Sequence, residues 1–378
     1  MKLGRRDLFD VPDDVAYLNA AYIAPAPRRA LEVAHEVVER RARPWNTLAS
    51  DFFTEADEAR TLAATLYGAD ADGIAIVPAA SYGIATAAKN LPLAKGDEVL
   101  ILADGFPSDL YTWTLAAEPV GARVKTVSRR QGETWGEAVL DAMTPATKIV
   151  TTVHTHWCDG GIVDLEAVGA AARAQGAALV VDLTQSLGAL PFDVAKIQPD
   201  FAVSACYKWL LGPYSIGFMY VAPQHRDGVA LEQNWLLRSR SQDFANLIDY
   251  DFTYAPGARR FDMGERANFM LMPQAMASLQ LLIDLDPAEI ANTLGALNAE
   301  IAQRLDELGC RAELDRVRAP HYLSTRLPSD APSGIVPALQ QEKIYISQRG
   351  PNLRITPHVH VSETDVDRLV AALAARLG

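Results

Sequence analysis

The sequence predicts an α/β fold: a mostly parallel sheet covered by helices, followed by a smaller α+β C-terminal domain. Three observations carry this expectation. Short apolar runs rich in β-formers recur up to Val221, stretches of helical period separate most of them, and the pattern changes character near Met272. Alternation of this kind suits parallel strands joined by crossover helices.

The apolar runs fall at 73–77, 98–102, 123–127, 148–154, 178–182, 201–204 and 216–221, with helical stretches such as 108–118, 135–142 and 164–174 between them. After the first run comes PAASYGIATAAKNL, a turn and then a helical segment whose first amides suit an anion, with Ser81 able to add a hydroxyl. Taken alone, Ser81 reads better as an N-cap; beside Asp182 and Lys208 the phosphate reading gains the edge. The run VHTHWCDGG places His154, His156 and Cys158 at alternating positions, as a metal-binding strand would. The following Asp159-Gly160-Gly161 argues against a continuing strand, and no metal site is expected there or at His358 and His360. Beyond Met272 a long helical run reaches Leu308, strand candidates follow at 322–327, 343–347 and 353–356, and a last helix starts near Ser362, with Asp365 resembling a capping-box acid.

The segment from Ala177 to Val221 is the most informative. One apolar strand ends at Asp182 and a second near Ser204, after which Lys208 stands alone among Cys206, Tyr207, Trp209 and Leu210. Burial lowers the pKa of an amine and frees it as a nucleophile toward a carbonyl. A carboxylate and a lysine at successive strand ends are what pyridoxal phosphate requires, the lysine as its Schiff-base partner and the carboxylate to keep the pyridine nitrogen protonated.

The runs Val181-Asp182-Leu183-Thr184-Gln185-Ser186-Leu187-Gly188-Ala189 and Tyr207-Lys208-Trp209-Leu210-Leu211-Gly212-Pro213 resemble the class V aminotransferase family of fold-type I pyridoxal-phosphate enzymes, which includes cysteine desulfurases, kynureninases and isopenicillin N epimerase-like members. The resemblance implies a large cofactor-binding domain over 16–265 and a small domain over 266–378, joined by the N-terminal segment 1–15. It implies that Lys208 and Asp182 are catalytic, that Ala80 and Ser81 cradle the phosphate, and that Gln185 lies near the cofactor's phenolic oxygen. Tyr207 reaches the phosphate in the kynureninase-like pattern. Aligning Pro107-Ser108-Asp109 on the family puts Phe106 over the pyridine ring, where desulfurases have a histidine and kynureninases a phenylalanine. In GPNLRITPHVH, Arg354 matches the clamp for the substrate carboxylate, with Arg349 a competing candidate. One departure stands in RRFDMGERANF, where the family commonly has Gly-Thr contacting the partner subunit's phosphate. Here Gly264 precedes Glu265, an acid that repels phosphate unless Arg266 compensates.

Composition narrows the function classes. The 378 residues are 49% hydrophobic, enough for a large core. Arg and Lys total 35 against 47 acids, a net charge of −12, so neither nucleic acid nor membrane is an expected partner. No apolar stretch has the length of a membrane span or signal peptide, which makes the cytoplasm the expected location. Cys158, Cys206 and Cys310 form no CxxC. Neither a phosphate loop nor a GxGxxG fingerprint occurs. The expected protein is a homodimeric pyridoxal-phosphate enzyme acting on an amino acid, with transferase chemistry ahead of β-elimination, kynureninase-like hydrolysis and epimerisation. A non-catalytic binding protein ranks lower, because Asp182, Gln185, Lys208 and Arg354 occur together. A persulfide-forming desulfurase is disfavoured because 340–352 holds no cysteine. The segment 235–254, with Arg238, Arg240, Tyr250 and Tyr254, reads either as part of the substrate mouth or as a surface excursion.

Overall fold

The computed structural model of the chain describes residues 2–377. Strand β1 (Ala16–Tyr17) precedes a seven-stranded sheet made of β2 (Ile74–Val77), β3 (Glu98–Leu102), β4 (Arg123–Val127), β5 (Thr147–Val153), β6 (Ala178–Asp182), β7 (Phe201–Ala205) and β8 (Gly217–Val221). Its spatial order is β2-β8-β7-β6-β5-β3-β4. Every neighbour pair is parallel except those of β8, which runs antiparallel to both β2 and β7. The reversal follows from chain length: β8 begins after only a turn from β7, too short for the crossover that a parallel pair needs.

Strands β2, β3, β7 and β8 are buried along their whole length, as expected where helices cover both faces, while edge strand β4 exposes Arg123 and Thr126. One core joins the sheet to the helices Asp51–Tyr67 and Met272–Leu285, and a second, smaller one lies under the helix Ala80–Asn90. Gly83 lets that helix sit close, since a Cβ there would lie 2.6 Å from Val203 Cγ2 on β7. The strands other than β8 all point the same way, so Val77, Val153, Asp182 and Ala205 end at one edge of the sheet.

The remaining strands are β9 (Arg311–Ala312), β10 (Leu323–Arg326), β11 (Ile344–Tyr345), β12 (Ser347–Arg349) and β13 (Asn352–Ile355). Four of them form a sheet in the order β12-β13-β10-β9, and β11 pairs with β1. The expected strand at 343–347 is therefore divided: the chain changes partner at Ile346, leaving β1 for β13. The expected helix at 272–308 is also divided, into Met272–Leu285 and Pro287–Asp306. Asp286 takes a φ of 62° and caps Ala288 N at 2.9 Å, and Pro287 lacks the N–H that a continuous helix would use. At the last helix, Glu363–Leu377, the capping box forms: Ser362 Oγ accepts from Asp365 N, and Asp365 Oδ2 accepts from Ser362 N at 2.8 Å. Asp365 also receives Arg6 at 2.8 Å, and Gly4 and Arg5 donate to Val361 and Val359, which holds the N-terminal segment against this region. Among the described residues, no helix is long and apolar enough to cross a membrane.

Candidate active site

Loops leaving the carboxyl ends of parallel strands gather their side chains above one sheet edge. Here they enclose a cavity of about 200 Å³ lined by Ala80, Ser81, Phe106, Asp182, Gln185, Tyr207 and Lys208, seven of the eight residues singled out from the sequence. The eighth, Arg354, approaches from β13 of the small sheet. Its Nε donates to Ser347 Oγ at 2.7 Å and its Nη1 to the carbonyl of Trp157, which also lines the cavity. Arg354 is buried, and its Nη2 has no hydrogen-bond partner.

Lys208 sits in a tight turn between β7 and β8, where Leu211 N returns to Lys208 O and Gly212 N to Cys206 O. The turn includes Leu211 at φ 56°, a strained conformation for a leucine. With 8% of its surface exposed, Lys208 has a pKa pushed down to about 8, by burial first. Asp182 raises it, and Arg354 and Arg349 lower it. Nζ lies 5.8 Å from the Phe106 ring centre and 5.4 Å from that of Tyr207. The Asp182 carboxyl is held up by burial, against the opposing effects of Thr184, whose N–H donates at 2.8 Å, and of Lys208. An amine weakly inclined to be charged thus shares a cavity with a carboxylate that lacks a hydrogen-bonded cation.

The helix Ala80–Asn90 begins at the same cavity. Its N-cap is Ala79, with no side-chain cap, and Ser81 is the second helical residue, so Ser81 is not the cap that sequence alone allowed. Tyr82 N turns back to Ala79 O, which leaves the amides of Ala80 and Ser81 for a ligand and favours an anion. The uncapped helix start, the lysine of lowered pKa and the carboxylate Asp182 fit the phosphate, aldehyde carbon and ring nitrogen of pyridoxal phosphate. Phe106 is 43% exposed at the cavity edge and meets Trp157 edge-on at 5.6 Å. The Tyr207 ring leans on Tyr214 at 4.6 Å. Gln185 lies in the wall, but its Nε2 donates to Ala21 O at 3.1 Å and its Oε1 accepts from Trp209 Nε1 at 3.0 Å. Its amide is thereby fixed by the scaffold on both ends.

Sequence reasoning missed Asp109 and Trp157 as wall residues. Asp109 is buried, accepts from Trp113 Nε1 at 3.0 Å and Thr151 Oγ1 at 3.1 Å, and is pushed up to about 7 by burial and by the Asp182 charge. Its signal was available in Pro107-Ser108-Asp109, used only to align Phe106. Trp157 was hidden in the run weighed for metal binding. That run leaves the strand after Val153, and His156 turns to Asp159 Oδ1 and Ala103 O, both at 3.1 Å. No cluster of three metal-ligating side chains occurs among the described residues. Arg266 is buried against Asp262 Oδ2 at 3.0 Å and Leu236 O, so it does not offset the charge of Glu265. None of 235–254 lines the cavity.

The family model described as "Aminotransferase class-V" matches residues 16–368. An uncharacterized aminotransferase, YcbU, of Bacillus subtilis is 24% identical over 96% of this chain and 94% of its own. A kynureninase of Deinococcus radiodurans is 27% identical over 99% and 92%. Among solved structures, an apo cysteine desulfurase from Thermococcus onnurineus superposes with a TM-score of 0.85 at 19% identity, covering 99% of this chain and 98% of its own, a likeness of fold. A match of this extent, on a cavity whose lysine, carboxylate and uncapped helix suit one cofactor, settles the lineage: the chain belongs to the class-V aminotransferase family of pyridoxal-phosphate-dependent enzymes.

Proposed function

We propose that this cavity holds pyridoxal phosphate on Lys208 and acts at the Cα of an amino acid, with transferase chemistry as the leading reading. The observation that carries it is the convergence of Lys208, Asp182 and the uncapped helix start at Ala80 on one cavity. When bound, the cofactor supplies an aldehyde carbon that condenses with amines and a ring that withdraws electrons from Cα. Lys208 Nζ would hold the cofactor through that carbon, and its amine, lowered to about 8 by burial, would take and return the proton at the substrate Cα. Asp182 would keep the ring nitrogen protonated. Ala80 and Ser81 would hold the phosphate through amides and hydroxyl, with Tyr207 at the same end and Gln185 in the wall. Phe106 would pack against the ring, and Arg354 would receive the substrate carboxylate through its unpartnered Nη2. No histidine lines the cavity among the described residues, so proton transfer at Cα rests on Lys208.

A second reading, a lyase cleaving bonds beyond Cα, is favoured by the kynureninase among the relatives. The large domain is 16–265 and the small one 266–378, with 1–15 joining them. Exposed Trp45, Ile248, Tyr250 and Phe252 support a homodimer. Three free cysteines suit a reducing compartment such as the cytoplasm. Borohydride reduction of the holo-protein followed by peptide mapping tests the anchor. Label at Lys208 is expected, and label at Lys148 or Lys196 instead overturns the assignment. Products from a panel of amino acids, scored for keto acid, ammonia, sulfide and inverted stereocentre, separate the reactions.

A further inference from the structure

Two arginines contact Trp157 of the cavity wall, where the proposed function requires one. Ser347 pairs with Arg354 and Arg349 with Asn352 across the β12-β13 ladder. Arg349 and Arg354 are therefore diagonal neighbours on one face of the small sheet, about 7 to 8 Å apart. Arg354 leaves Nη2 buried and unpartnered. The Arg349 guanidinium lies 5.3 Å from the ring centre of Trp157, a cavity-wall residue that meets Phe106, and its Nη1 donates to Gln348 O. Neither arginine forms an ion pair among the described residues, although the chain carries an excess of acids and pairs most of its other buried arginines. Both cations also bear on the same amine, each lowering the pKa of Lys208. The groups that act most strongly on Arg349 are Arg354, Tyr322, Cys158 and Tyr22, and beyond them Asp104 and Asp159 act on Cys158 alongside both arginines.

Two like charges this close repel, and the buried one, Arg354, is costly without a counter-ion unless a ligand anion completes it. One α-carboxylate satisfies the deeper arginine and leaves the outer one unmatched. We propose that the substrate is a short amino acid with a second anionic group on its side chain, the α-carboxylate bound by Arg354 and the distal anion by Arg349. The contact with Trp157, which itself meets Phe106, keeps the Arg349 guanidinium beside the cavity wall, where it can select for the second anion. Glutamate and aspartate are the simplest members of this class.

The inference rests on the cofactor reading above, and its test separates the two. Holo-protein is titrated with L-glutamate, L-glutamine, L-aspartate and L-asparagine, following the cofactor's visible absorption. Each acid should bind at least about tenfold more tightly than its amide, the value of a charge-assisted contact. Arg349→Gln should collapse the acid-to-amide ratio toward one, whereas Arg354→Gln should weaken all four ligands and keep the ratio. Equal binding of acids and amides by the wild type overturns the inference, as does an Arg349→Gln protein that retains the preference. Silence with all four ligands, in a protein whose Lys208 carries the borohydride label, overturns the inference alone. Silence without that label removes the underlying function with it.

Discussion

On the cavity floor, Asp182 and Lys208 follow successive strands of the large sheet, buried and acting on one another; at the mouth, Arg349 and Arg354 come from the small sheet and have no acidic partner. The floor charges oppose each other across a dry site, so each sets the other's protonation and therefore the reactivity of the site. The mouth charges hydrogen-bond neutral protein groups but have no acidic partner among the described residues, which leaves them for a ligand anion. Chemistry and binding should thus separate by mutation, floor variants acting on kcat and mouth variants on KM.

The largest break in this comparison should come from Asp182→Asn. The asparagine can still accept the Thr184 N–H that now reaches Asp182, so fold and cofactor binding are expected to survive. If Asp182 has the proposed role, loss of its negative charge leaves the ring nitrogen without its proton, and Cα proton exchange should fall on the order of a hundredfold or more. Exchange measured by deuterium incorporation checks this, and near-normal exchange in a folded variant would place the electron-sink role elsewhere. Arg354→Gln should come next and in the other parameter. Substrate KM should rise about tenfold to a hundredfold, as the loss of a charge-assisted contact implies, while cofactor affinity stays near the wild-type value. A fall in kcat alone would blur the division between floor and mouth.

The same division explains what the sequence made legible. Asp182 and Lys208 could be placed at one cavity because each stands at or just past the end of an apolar strand, which such runs mark well, whereas Ala80 and Ser81 came from the family resemblance. The parallel sheet was readable for the same reason, and the capping box at Ser362 because its chemistry is local. The reversal of β8 was less so, since direction depends on the length of the turn rather than on composition. Trp157 and Asp109 escaped because nothing near them in sequence says which way they face. Trp157 enters the wall through contacts with Asp104, Tyr322 and Arg349, which lie on three other segments. The split helix at Asp286-Pro287 was available in the sequence, where the proline breaks an otherwise continuous helical pattern. The paired character of Arg349 and Arg354 depends on the register between β12 and β13, which periodicity alone does not supply.

Asp109 gives the finest test, because it belongs to the floor yet its partners are neutral. With its pKa raised to about 7 in the folded protein, against about 3.9 in an unfolded chain, it binds a proton in the fold that the unfolded chain has released. Its contribution is therefore fully present at low pH and is lost as pH rises through the window from about 4 to about 7. Replacing it with asparagine removes that dependence while keeping an acceptor for Trp113 Nε1 and Thr151 Oγ1. In protein stripped of cofactor, Asp109→Asn should match the wild type near pH 4 and gain on it as pH rises, by about 4 kcal/mol at most and a few degrees of Tm. A Tm difference that stays flat from pH 4 to pH 8 would show that burial does not hold Asp109 protonated.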